Sequence, residues 1–193
     1  MHSALRIIAN EHQSIASVLS GLTHFADRGL QGKKIPDAPV FRAMLHYLDL
    51  FAERMHHPKE EAYLFARLRS RTHLVDDVLD RLQEDHYYGL GGLRAVEHAF
   101  LRYEEGGAPF FADFAREVHR YVDFYRRHMQ VEETYIFPIA ERELTEDDWA
   151  AIQSAFSAHE DPLASFTQEH DLRSLFTRIV TITPAPIGVG EEV

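Results

Sequence analysis

Apolar residues recur at alternating three- and four-residue steps through four long stretches of this chain, and glycine and proline punctuate the gaps between them. The first stretch, about Ser3 to Asp27, aligns Leu5, Ile8, Ile15, Leu19 and Leu22 on one helical face. A second, about Ala38 to Arg69, aligns Phe41, Leu45, Leu48, Ala52 and Leu64. The third, about His73 to Glu105, carries Val75, Leu79, Leu82, Leu93 and either Gly89 or Leu90. The fourth, about Pro109 to Arg142, carries Phe114, Val118, Tyr121, Tyr125, Tyr135 and Ile139. The two-residue alternation of a half-buried strand is absent. Thr145, followed by Glu146, Asp147 and Asp148, has the form of a capping box and predicts a shorter fifth helix through about Ala158. Beyond it the pattern predicts a short helix near Glu169 to Ile179 and then a mobile Pro/Gly tail after Pro184. Short links between long helices favour antiparallel neighbours. The expected fold is therefore all-α, an up-down-up-down four-helix bundle over residues 1–143, with a short C-terminal helical extension over 144–193 that is not an independent domain.

Polar residues interrupt these apolar stripes at matching depths. His12 is the polar member of the first, His56 and Glu60 fall in the second, His86 in the third, and His128 and Glu132 in the fourth. His56 lies about 13 residues before the end of its stretch and His86 about 13 after the start of the next, and His86 and His128 are each about 19 from their shared turn. His12 and His56 are level within the error of the boundaries. Two of the segments are near copies: His56-His57-Pro58-Lys59-Glu60-Glu61-Ala62-Tyr63-Leu64-Phe65 and His128-Met129-Gln130-Val131-Glu132-Glu133-Thr134-Tyr135-Ile136-Phe137. Residues four apart share a helix face, so each copy sets an imidazole beside a carboxylate.

Six polar groups in one core layer are costly unless partnered, since an unpaired buried polar group costs roughly 2–7 kcal/mol. A cation resolves that cost. The chain has no cysteine, which excludes thiolate zinc sites, iron–sulfur clusters and disulfides and leaves nitrogen and oxygen donors. Imidazole donors disfavour magnesium and calcium, so the ligand types point to two iron ions, with manganese and zinc as competitors, and two glutamates suffice to bridge a pair. His57 is a neighbour or rim group, since the stripe selects His56 and Glu60. Pro58 inside the helix predicts a local kink or bulge beside the site. Tyr63 and Tyr135 are expected as core aromatics, and His24, His46, His98 and His119 as surface residues.

The net charge of −11 opposes nucleic-acid binding, and no apolar run is long enough to span a bilayer. The N-terminal residues lack the form of a signal peptide, so the chain reads as soluble and cytoplasmic. A protein partner is not specified, and a homodimer stays open.

His12, His56-x-x-x-Glu60-Glu61, His86 and His128-x-x-x-Glu132-Glu133 together resemble the hemerythrin-like, or HHE cation-binding, family over about Leu5 to Ala140. The resemblance implies a non-haem di-iron centre bridged by two carboxylates, with His12, His56, Glu60, His86, His128 and Glu132 as ligands. Oxygen-carrying members have a fifth histidine from a His-x-x-x-His pair on the third helix, where this chain has Leu82 and Leu90 one turn either side of His86. That difference turns the expectation from oxygen carriage toward a centre that binds or reacts with oxygen, peroxide or nitric oxide, stores iron, or senses iron or oxygen. His159 is an outside candidate for the open position. Two alternatives compete. A ferritin-like carboxylate enzyme needs two Glu-x-x-His motifs; Glu53-x-x-His56 supplies one, but Tyr125 stands in the equivalent place before His128. A metal-dependent regulatory or interaction module would use the fifth helix and tail to contact a partner.

Overall fold

A computed structural model describes residues 1–157 together with Ile179 and Thr181. Ala158, His159, the segment expected to be helical near Glu169 and the tail after Pro184 lie outside the described residues. Among the described residues, four long rods and one shorter helix make up the fold. Helix α1 is Ser3–Leu30. Helix α2 is one continuous rod assembled from Ala38–Tyr47, Leu48–His56, His57–Lys59, Glu60–Phe65 and Ala66–Arg71. Helix α3 is Asp76–Gly106; a single 3₁₀ turn, Ala108–Phe110, leads into α4, which is built from Phe111–Val131, Glu132–Ile136 and Phe137–Glu143. Helix α5 is Glu146–Ser157. Among the described residues there is no strand, and no helix is long and apolar enough to cross a membrane. The chain is all-α, as its periodicity predicts.

The rods pack as antiparallel neighbours, α1 against α4 and α2, and α3 against α4 and α2. Gly107 makes the turn between α3 and α4 at φ 73°, a left-handed conformation that glycine adopts without steric penalty. Its N–H donates to the Tyr103 carbonyl at 2.8 Å and closes the end of α3.

Helix α2 departs from ideal geometry. Leu48, Ala52, His56, Glu60, Leu64 and Leu68 are all buried, yet they are spaced by four residues throughout. In an ideal α-helix each four-residue step drifts about 40° around the axis, so five steps would carry Leu68 about 200° away from Leu48. Wider π turns over Leu48–His56 and Glu60–Phe65 absorb the drift and keep the whole row on the core face. Pro58 sits between them, where its ring would crowd the carbonyl four residues earlier, so the expected distortion is this change of turn width. Helix α4 repeats the device at Glu132–Ile136, just before Pro138. There the buried row runs His128, Glu132, Ile136, Ala140. Tyr135 is thereby turned out, 63% exposed, and Tyr63 is 39% exposed. Both were expected in the core, and the π turns reverse that expectation.

Helix α5 closes one end of the bundle. The Thr145 N–H donates to Asp148 Oδ2 at 3.0 Å while the Asp148 N–H donates to Thr145 Oγ1 at 3.4 Å, the reciprocal pair of a capping box. Arg71 from α2 grips the same carboxylate, with Nε 2.7 Å from Oδ2, and holds it well below the usual carboxylate range. Trp149, Ile152 and Phe156 then bury against Leu5, Ile8, Leu64 and Leu68. Replacing Thr145 by alanine should lower stability by about 1 kcal/mol, read as a shift in the urea midpoint; an unchanged midpoint would show that the cap contributes nothing.

Candidate metal centre

The core is split in two. One apolar cluster contains Ile15, Leu19, Phe41, Leu48, Leu93, Phe114 and their neighbours, the other Leu5, Ile8, Leu64, Leu79, Leu82 and Ile136 with theirs. Between them lies a polar layer made of His12 from α1, His56, His57 and Glu60 from α2, His86 from α3, and His128 and Glu132 from α4, all at most 7% exposed.

Within the layer the two glutamates stand between two pairs of histidines. Glu60 Oε1 is 3.6 Å from His12 Nε2 and 3.4 Å from His56 Nε2, while its Oε2 is 3.7 Å from His86 Nε2. Glu132 Oε2 is 3.3 Å from His12 Nε2, and its Oε1 is 3.5 Å from His128 Nε2. Each carboxylate thus turns one oxygen toward each histidine pair. Both oxygens of both glutamates, with Nε2 of His12 and of His56, lack any hydrogen-bond partner although buried. Native proteins rarely leave so many buried polar atoms unsatisfied in one place, and nitrogen and oxygen lone pairs converging on two points suit a pair of first-row cations. Ligand atoms of His12, His56, Glu60 and Glu132 lie within 4.8 Å of one another, as do those of Glu60, His86, His128 and Glu132.

The outward ring nitrogens are held in a cycle. Glu11 on α1 accepts from His56 Nδ1 on α2 at 2.8 Å. Glu61 on α2 accepts from His86 Nδ1 on α3 at 2.7 Å. Asp85 on α3 faces His128 Nδ1 on α4 at 3.6 Å, and Glu133 on α4 accepts from His12 Nδ1 on α1 at 2.8 Å. Protonation at Nδ1 leaves the Nε2 lone pair facing inward, which is the tautomer a metal requires. The second glutamate of each Glu-Glu doublet therefore fixes an imidazole on the next helix. Sequence reasoning set Glu61 and Glu133 outside the site and passed over Glu11 and Asp85. The signal was nevertheless present, since an acid directly precedes both His12 and His86.

His57 is the larger departure. It is 4% exposed, its ring stacks on that of His86 at 3.9 Å, and its Nδ1 is 3.3 Å from Glu53 Oε2. Glu53 therefore faces His57 one turn on, not His56. Among the histidines expected at the surface, His46 and His98 are exposed and His24 and His119 half-buried. A surface cleft of about 620 Å³ reaches the layer between α2 and α3, with His57 and His86 in its wall beside Glu53, Glu61, Glu84 and Tyr87.

Opposing forces set the charges. Burial alone would lower the His12 imidazole, but the surrounding carboxylates of Glu132, Glu133 and Glu60 outweigh it and raise it well above 6.5. Burial would raise the Glu132 carboxyl, yet His128 and His12 hold it at about 2. Burial dominates at His57, whose imidazole is pushed well below 6.5, with the neighbouring His86 acting in the same direction. A raised folded value means that the His12 contribution to stability is complete below pH 6.5 and is lost as pH climbs through that folded value. For chelator-stripped protein, the gap in denaturant midpoint between wild type and His12→Gln should be widest below pH 6.5 and narrow as the pH is raised above it. A gap that grows with pH would contradict this charge assignment.

The family description Hemerythrin HHE cation binding domain matches residues 3–140, which takes in the four rods up to the last turn of α4 and every member of the polar layer. No curated protein and no solved structure gives a significant match. The match spans well over half of the chain, and the buried His/Glu clusters are arranged as a dinuclear cation site would need, so this protein belongs to the hemerythrin HHE cation-binding family.

Proposed function

We propose that the polar layer holds two iron ions, with His12 and His56 binding one, His86 and His128 the other, and Glu60 and Glu132 bridging them. The observation that carries this reading is the orientation of the two glutamates, each with one oxygen on either side of the layer. A bridged iron pair supplies two electrons for a small oxidant such as oxygen or peroxide, and can bind nitric oxide. The chain's own part is to keep the ligands in one tautomer, exclude bulk water by the two apolar clusters, and leave the cleft beside His86 as the way in. Leu82 and Leu90, one turn from His86, offer no donor atom. Helix α3 therefore gives the layer a single imidazole, and a donor set arranged differently from that of an oxygen carrier favours reaction with, or sensing of, the oxidant over simple carriage.

Elemental analysis of protein purified without a histidine tag should find two metals per chain, and His56→Ala and Glu132→Ala should each lose them. Glu133→Gln should keep both but weaken binding about 10–100-fold, because only the hold on His12 is altered. Anaerobic iron loading followed by oxygen, peroxide or nitric oxide should bring up a charge-transfer band; a silent spectrum with zinc alone bound would sink the reading.

One contact favours a second reading, in which metal occupancy is passed to the C-terminal region. Lys59 pairs with Glu11, the residue that holds His56, and its Nζ lies 4.9 Å over the ring of Phe156 in α5. Chelation should then speed proteolysis after Glu143. Identical cleavage with and without metal would leave the bundle uncoupled from α5.

A further inference from the structure

We infer that His57 is a fifth metal-binding imidazole, supplied by α2 to the side of the layer occupied by His86 and His128, where it stands in for the histidine that α3 lacks. The inference rests on the dinuclear reading above. Ligand nitrogens of His57, His86 and His128 lie within 4.8 Å of one another. The His57 ring is stacked on His86 and set edge-on to His128 at 5.4 Å. It also follows the rule obeyed by the other four imidazoles: Nδ1 faces a carboxylate, here Glu53, and Nε2 points the other way. The Tyr125 hydroxyl lies 2.6 Å from this Nε2, and with the ring proton on Nδ1, toward Glu53, Nε2 keeps the lone pair that a cation would use. A cation and the Tyr125 hydroxyl compete for that one lone pair.

Helix α3 is shaped to admit this arrangement. Its core-facing position 89 is glycine, although glycine inside a helix costs about 1 kcal/mol relative to alanine. A Cβ at Gly89 would come within 3.3 Å of Glu53 Oε1, so the missing side chain is the space in which Glu53 sits. Tyr121 from α4 donates to the same Glu53 oxygen at 3.1 Å and packs against Gly92, again on α3. The face of α3 from which a second histidine could reach the layer is thus given over to the Glu53–His57 pair from α2. The row of π turns that ends at His56 brings this pair onto the core side alongside the His56–Glu60 pair.

Cobalt(II) serves as the probe, because each imidazole bound to it gives one strongly shifted, exchangeable N–H proton signal. Wild-type protein loaded with two equivalents should show five such signals, and four would overturn the inference without touching the dinuclear reading. His57→Gln should lose one signal and bind the second equivalent at least about 10-fold more weakly than the first. Tyr125→Phe should keep five signals and bind at least as tightly, since it removes only the competing hydroxyl; if it instead matched His57→Gln, the pair would be a structural support and not a ligand. Should His57→Gln not fold, the signal count on wild-type protein decides alone. A wild-type protein unable to take up two cobalt ions would overturn the dinuclear reading and this inference with it.

Discussion

Keeping imidazoles and carboxylates dry in the middle of an apolar bundle is the constraint on which this structure turns. Each helix contributes a histidine to the layer and an acid that faces or binds the histidine of the next helix, so the cycle closes from α1 through α2, α3 and α4 back to α1. Such an arrangement ties helix register to ligand geometry: sliding one rod by a turn would leave two imidazoles without their acids and two acids without their imidazoles. The apolar clusters above and below can tolerate small shifts, because hydrophobic contacts are not directional. The polar layer cannot, and it sets the relative heights of all four rods.

Much of this was legible in the chain. The apolar period located the four rods and α5, and the polar members of each stripe, His12, His56, Glu60, His86, His128 and Glu132, are the residues that the fold brings together. Their depths can be counted from the turns because the rods are antiparallel and the π turns alter the rise by too little to shift a residue out of its layer. Even the capping box at Thr145 and Asp148 has the form its spacing predicts.

What could not be read follows from the π turns. An ideal 3.6-residue period places Tyr135 near the stripe and His57 off it. A widened turn changes which residues face inward: Tyr135 goes to solvent, Ile136 to the core, and His57 into the layer. Pro58 and Pro138 marked where the distortions occur without revealing their sense. The row of four-residue steps from Leu48 to Leu68 was the better signal, since no regular α-helix could bury all of it. The outer acids were faint for a different reason: the Glu11-His12 and Asp85-His86 doublets hinted at them, but their partners lie on other helices and only the assembled bundle pairs them.

The cleft between α2 and α3 has an electrostatic consequence. Its wall carries the carboxyl groups of Glu61 and Glu84, beside Glu53, whose carboxyl burial pushes up to about 7, and the chain as a whole has a net charge of −11. A concave, low-dielectric surface of one sign focuses the field and raises the local concentration of the opposite charge. By that rule the opening would draw divalent cations and disfavour anionic oxidants, whereas uncharged molecules would meet no electrostatic barrier there. The same acidic funnel would act as a loading port for metal and as a charge filter for whatever meets it, with both effects fading as salt is raised.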